Sequence, residues 1–99
     1  MLGHGLTNTY LKMLDLGLTR SKRDFAKRWL GRGKTYLRDF ELREGRDVVR
    51  VSTPTVTTLR TRLRAVADRM PRGIRTEIEG IIASIDQGIA VADLLSRRG

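Results

Sequence analysis

Apolar residues recur at every third or fourth position over most of the chain, which is the spacing of amphipathic α-helices. The first run predicts a helix over residues 7–16 that ends at Gly17. Its expected apolar face consists of Leu6, Tyr10, Leu11, Leu14 and Leu18.

A second helix is predicted to begin after Ser21. The serine oxygen can accept a backbone N–H, and Asp24, three residues later, favours the positive end of a helix. This helix should bury Phe25 and Trp29 and end at Gly31, because glycine tolerates the positive φ that such a sharp turn requires. Core packing of Trp29 is favoured over stacking on a nucleic-acid base.

A third helix is predicted over residues 34–43, with Leu37 and Phe40 buried. The apolar run at residues 46–52 fits either a loop packed on the core or a brief extended segment, and we favour the loop.

The second half of the chain predicts two longer helices. Thr53 before Pro54 is typical of a helix start, because proline at the first helical position loses no needed hydrogen bond. This fourth helix should end at Pro71, and a fifth should cover residues 73–96. The apolar stripe of the fifth helix contains Ile74, Ile78, Ile81, Ile82, Ile85, Ile89 and Leu95. The predicted fold is therefore all-α, with a compact head of about four helices over residues 5–70 and a long C-terminal helix over residues 72–97.

Charge adds a functional indication to this pattern. The 99 residues carry a formal net charge of +9, and residues 20–38 contain eight Lys or Arg against one Asp, which is +7. Such a concentration indicates an acidic partner, for which DNA, RNA and an anionic membrane surface are the candidates. The absence of cysteine excludes disulfides and thiolate metal sites. We find no secretory signal and no membrane span in the pattern, and expect a cytoplasmic protein.

The second and third helices match the requirements of a helix-turn-helix, in which one helix contacts phosphate and the next enters the major groove. The start and polar side of the second helix offer phosphate contacts through Arg20, Lys22, Arg23 and Lys27. The turn and the start of the third helix offer base contacts through Arg32, Lys34, Thr35, Tyr36 and Arg38. A solvated basic face, or binding to RNA or lipid, is the alternative.

Two resemblances support this interpretation. The chain resembles bacterial helix-turn-helix domains of the lambda-repressor and Xre type, with a Gly-Leu-Thr lead-in at residues 17–19 and a recognition helix starting near Gly33. It is also similar to a family of small uncharacterised bacterial proteins that share an S-x-R-[DE]-F-x-x-R-W-L-G-R-x-x-x-Y pattern, matched over residues 21–36. The resemblance implies a small bacterial transcriptional regulator that binds double-stranded DNA.

The chain departs from the helix-turn-helix pattern at one position. The motif usually has alanine four residues before the turn glycine, but Lys27 stands there relative to Gly31, and Ala26 comes one residue earlier. Either the first motif helix is one residue longer, or the two helices cross at a different angle.

Small residues repeat every four positions along the fifth helix, which predicts close approach of another helix. We expect a homodimer that spaces two recognition helices for a palindromic site. The alternative is packing of the fifth helix within the chain, against the first and fourth helices. The predicted dimer interface consists of Ile78, Gly80, Ile81, Ser84, Ile85, Gly88, Ile89 and Ala92.

Catalysis finds no support in the sequence. His4, the only histidine, lies in a Gly-His-Gly segment that we expect to be mobile, and no nucleophile–base pair accompanies it. The acidic residues after the third helix lack a calcium-loop spacing and are expected to balance nearby arginines. These acids are Asp39, Glu41, Glu44 and Asp47. We therefore predict no enzyme activity, metal, cofactor or small-molecule substrate.

The predicted function is sequence-specific DNA binding by a dimeric regulator. One alternative is a protein-interaction adaptor or anti-activator that grips a protein partner with its isoleucine-rich C-terminal helix. A second is an architectural protein that binds nucleic acid without sequence preference.

Overall fold

The structure is a computed structural model that describes the backbone of residues 1–43 and 50–98, and the side chains of residues 1–43, 50–90 and 94. Within these residues all regular elements are helical, so the all-α prediction is confirmed. The elements are α1 (Gly3–Asp15), α2 (Lys22–Asp24), which continues directly into a π-helical turn (Phe25–Trp29), α3 (Tyr36–Leu42), α4 (Thr53–Ala67) and α5 (Arg72–Arg98). No helix in the described part of the chain is both long and apolar enough to cross a bilayer.

Helix α1 begins earlier than predicted. His4 lies in its first turn, so the expectation of a mobile Gly-His-Gly segment is wrong. The buried face also differs, because Met13 is fully buried whereas Leu11 is 52% exposed and Leu14 is exposed. The helix ends before Gly17, as predicted, where φ is +76°.

The start of α2 confirms the predicted cap. The Ser21 side chain accepts a hydrogen bond from the Asp24 backbone N–H at 3.1 Å. Trp29 is buried, and its indole N–H donates to the Leu18 carbonyl at 3.2 Å. Gly31 then turns the chain with φ +65°, a value that glycine adopts without strain.

A π-helical turn lies where the sequence departs from the helix-turn-helix pattern. In this turn the Leu30 N–H donates to the Phe25 carbonyl, five residues back, at 3.2 Å. The wider turn holds one extra residue between Ala26, which is fully buried, and Gly31.

The segment after α3 is described only in part, because residues 44–49 lie outside the described residues. The loop predicted for residues 46–52 is therefore seen only at its end. There, Arg50 forms a single antiparallel bridge with Leu2, and the buried Val51 donates its N–H to the Met1 carbonyl at 3.0 Å. Helix α4 begins at Thr53, with Ser52 rather than Thr53 in the capping position.

Helix α5 packs on α4 and α1 and belongs to the same core as the other helices. Its isoleucine stripe meets Leu59 and Leu63 of α4 and Leu6 of α1 in one apolar cluster. The boundary predicted near residue 71 is thus the turn between two packed helices. The core is mainly aliphatic, as the composition predicts.

Candidate nucleic-acid interface

Basic side chains from α2 and from the start of α3 line one open cleft of about 370 Å³. Helix α2 contributes Lys22 and Arg23, while Lys34, Thr35 and Arg38 come from the end of the linker and the first turns of α3. The cleft therefore joins two of the predicted phosphate contacts to three of the predicted base contacts. These residues are exposed, so the positive charge faces solvent.

The cleft keeps most of its positive charge unpaired. Lys22 Nζ forms an ion pair with Glu41 Oε2 at 2.6 Å. In the part of the chain that the structure describes, no ion pair is recorded for Arg23, Lys34 or Arg38. Because an acid pairs with only one of the four cations, the cleft has a positive field that attracts phosphate groups.

A network around Asp24 fixes the start of α2. Its carboxylate accepts the Arg20 backbone N–H and the Thr19 hydroxyl, each at 3.0 Å, and lies 3.4 Å from Arg28 Nη1. These contacts, the Arg20 N–H first among them, lower the pKa of Asp24 below its usual value. The ionised carboxylate thus holds the lead-in and the first turn of α2 together.

Arg32 does not lie in the cleft. Its guanidinium turns toward α4, where Nε and Nη2 donate to Thr55 Oγ1 at 3.0 and 2.8 Å and Nη2 donates to Ser52 Oγ at 3.1 Å. It also lies 5.7 Å from the centre of the half-buried Tyr36 ring, which packs against the core. The assignment of Arg32 and Tyr36 to base contact is therefore corrected, because internal contacts occupy both side chains.

Two of the predicted phosphate contacts, Arg20 and Lys27, are exposed but do not line the cleft. The sequence pattern also missed Arg62 of α4, whose Nη1 donates to the Arg28 carbonyl at 2.6 Å and to the Lys27 carbonyl at 3.3 Å. Arg62 thereby satisfies carbonyls in the π-helical turn that follows α2. The two segments are more than thirty residues apart, and nothing in the local pattern indicates the contact.

Two of the acidic residues expected to balance arginines, Asp39 and Glu41, lie within α3, and of these two only Glu41 is paired with a cation in the described part of the chain. Glu41 pairs with Lys22, although arginine was the expected partner, and Asp39 Oδ2 accepts the Thr35 hydroxyl at 2.9 Å. Glu44 and Asp47 lie outside the described residues. No group of three or more His, Asp or Glu side chains suited to a metal ion occurs in the part of the chain that is described.

The isoleucines assigned to a dimer interface pack inside the chain. Ile78, Ile81 and Ile85 are at most 2% exposed, and the half-buried Ile89 packs against the same core. This part of the prediction is wrong, because α1 and α4 already cover the isoleucine stripe, as the alternative of packing within the chain required.

The small residues of the same helix differ among themselves. Gly80 and Ser84 are exposed, whereas Gly88 is half-buried near Met1. The Ala92 side chain lies outside the described side chains.

The arrangement of α2 and α3 departs from a standard helix-turn-helix in its connection. Six residues, 30–35, separate the π-helical turn from α3, whereas the motif uses a turn of three or four residues. Helix α3 itself has only seven residues.

The chain belongs to a family described as "Family of unknown function (DUF6626)", whose pattern matches residues 6–91. No curated protein and no solved structure matches the chain.

Proposed function

We propose that this protein is a small bacterial regulator that binds double-stranded DNA in a sequence-specific manner through the cleft between α2 and α3. The observation that carries the proposal is the convergence of four cations on that cleft, with a single acid paired to one of them. Phosphate contacts supply most of the affinity of such proteins, and groove contacts supply specificity.

The roles within the cleft follow from the positions of its side chains. We assign phosphate contact to Lys22 and Arg23, which line the cleft at the start of α2. We assign base contact to Lys34, Thr35 and Arg38, which line the cleft around the start of α3. Arg32 is assigned no DNA contact, because its guanidinium donates to Thr55 and so ties the linker to α4.

A homodimer remains part of the proposal, but the buried isoleucines take no part in its interface. The adaptor alternative relied on an isoleucine stripe that would be open to a protein partner. Since that stripe is covered by α1 and α4, no observation favours the adaptor over DNA binding.

Selection of bound fragments from a random duplex library, followed by affinity measurements from roughly 50 to 200 mM salt, tests the proposal. We expect the selected site to bind at least a thousandfold more tightly than random duplex. Lys34→Ala should reduce the slope of log affinity against log salt by about one. The matched control is Arg69→Ala, which removes an exposed cation from the turn after α4 and should leave the slope unchanged.

Three results would contradict the proposal in different ways. Binding that does not depend on salt would exclude a phosphate interface. Equal effects of Lys34→Ala and Arg69→Ala would show that net charge rather than the cleft attracts DNA. Equal affinity for random and selected duplex would indicate the architectural alternative.

A further inference from the structure

A second cavity, of about 320 Å³, lies between α1 and the middle of α5 and shares no lining residue with the basic cleft. Met1, Gly5, Ile81 and Gly88 contribute an apolar lining. The volume lies within the range of small-ligand pockets, and the combination of apolar lining with a few polar groups is typical of them.

Two of these residues, Gly5 and Gly88, are glycines inside helices. Apart from proline, glycine is the poorest helix former, so a helical glycine needs a reason in its surroundings. Close helix packing does not supply one, because an added Cβ at Gly5 or Gly88 would lie 3.5 or 3.9 Å from Met1, which is ordinary contact. An alanine at either position would instead reduce the free volume of the cavity.

Apart from Leu2, the remaining lining is polar, and it includes His4 and Thr9 on the α1 side. Asn8 and Lys12 stand on the α1 side, and Ser84 and Gln87 on the α5 side. None of the described residues that line the cavity is acidic. Lys12 Nζ is 4.0 Å from Glu77, at the outer limit of an ion pair, and both side chains are about half exposed, so Lys12 can exchange this partner for a ligand.

From these features we infer that the cavity binds a small amphipathic carboxylate. Its aliphatic part lies along Ile81 and the two glycines, and its carboxylate meets Lys12. The amide side chains of Asn8 and Gln87 supply further donors to the carboxylate. This site does not depend on the proposed DNA binding, and it adds a small-molecule ligand that the sequence pattern does not indicate.

Octanoate is a suitable probe, with octanol and octylamine as neutral and positively charged analogues of the same length. Titration of the ¹⁵N-labelled protein should shift the amide resonances of Gly5, Asn8, Ser84 and Gly88. A dissociation constant of about 1 mM or tighter is expected for ten non-hydrogen atoms. Octanoate should bind most tightly of the three, because the carboxylate alone can pair with Lys12.

Two sets of variants test the assigned contacts. Lys12→Met should weaken octanoate binding about tenfold and leave octanol binding unchanged, while the control Lys27→Met, at an exposed position outside the cavity, should alter neither. Gly5→Ala combined with Gly88→Ala should raise the melting temperature by roughly 4 °C or more and weaken octanoate binding. Gly80→Ala, with open space around its added Cβ, should also raise the melting temperature but leave octanoate binding intact.

The inference is overturned if octylamine binds as well as octanoate, or if the double glycine variant binds octanoate like the unchanged protein. It is overturned as well if octanoate shifts only the resonances of the basic cleft around Arg23 and Lys34, which would indicate non-specific attraction of an anion. Dimerisation at this face would appear as concentration-dependent broadening of the same resonances without added ligand, and would likewise exclude a free cavity.

Discussion

Replacement of Arg32 distinguishes a residue that reads DNA from one that holds the fold. Its guanidinium makes three N–H···O contacts of 2.8 to 3.1 Å with Thr55 and Ser52 and lies over Tyr36. Hydrogen bonds from a charged group contribute about 1.5–3 kcal/mol each. Two of the three contacts share the Thr55 oxygen and Arg32 is partly exposed, so we expect Arg32→Ala to lower the free energy of unfolding by about 2 kcal/mol.

Urea denaturation measures this change directly, and a loss of this size should lower the midpoint by roughly 1–2 M. Arg32→Lys should lose most of the same stability, because an ammonium group cannot reproduce the forked contact with two hydroxyl oxygens. A phosphate contact, by contrast, would be largely preserved by lysine. Unfolding midpoints of both variants that equal the original would refute the supporting role, and DNA binding lost without loss of stability would restore Arg32 to the interface.

Three further predictions concern the cleft, the start of α2 and the core. Glu41→Gln should raise DNA affinity and steepen its salt dependence, because it frees Lys22 from its ion pair. Glu79→Gln removes the same charge outside the cleft and should raise DNA affinity less. Equal gains in affinity from the two variants would contradict this prediction. The pKa of Asp24 is lowered in the folded protein, so its carboxylate stabilises the fold above about pH 4 and this contribution is lost on acidification. Asp24→Asn should therefore flatten the acidic limb of a plot of unfolding free energy against pH. Ile85→Ala should cost about 2–5 kcal/mol in urea unfolding at every protein concentration, whereas an interface role would make the loss depend on concentration.

Local rules predicted most of the helices. Apolar periodicity placed α4 and α5 within a few residues of their observed bounds, and the Ser21 cap and the turn at Gly31 formed as expected. These features depend on neighbours within a few positions, which the sequence displays directly.

The features that the sequence did not predict depend on distant partners. The inward turn of Arg32 needs Thr55, twenty-three residues away. The coverage of the isoleucine stripe depends on how α1 and α4 pack, which periodicity along α5 does not reveal. Similarly, the backbone just before α1 has a distant partner, because the Met1 carbonyl accepts the Val51 N–H. The basic cleft was predicted in composition, but the position of Arg32 outside it was not.

The π-helical turn has a consequence for how such chains change over time. A π-helical turn accommodates one residue more than an α-helical turn, so the residues before and after it keep their packing positions. We therefore expect that one residue can be inserted or deleted at this turn without rearrangement of the core. A shorter relative would then carry an unbroken α-helix here, with its alanine at the ordinary distance from the glycine. Aligning the two would require a one-residue gap within a helix, where gaps are otherwise least expected.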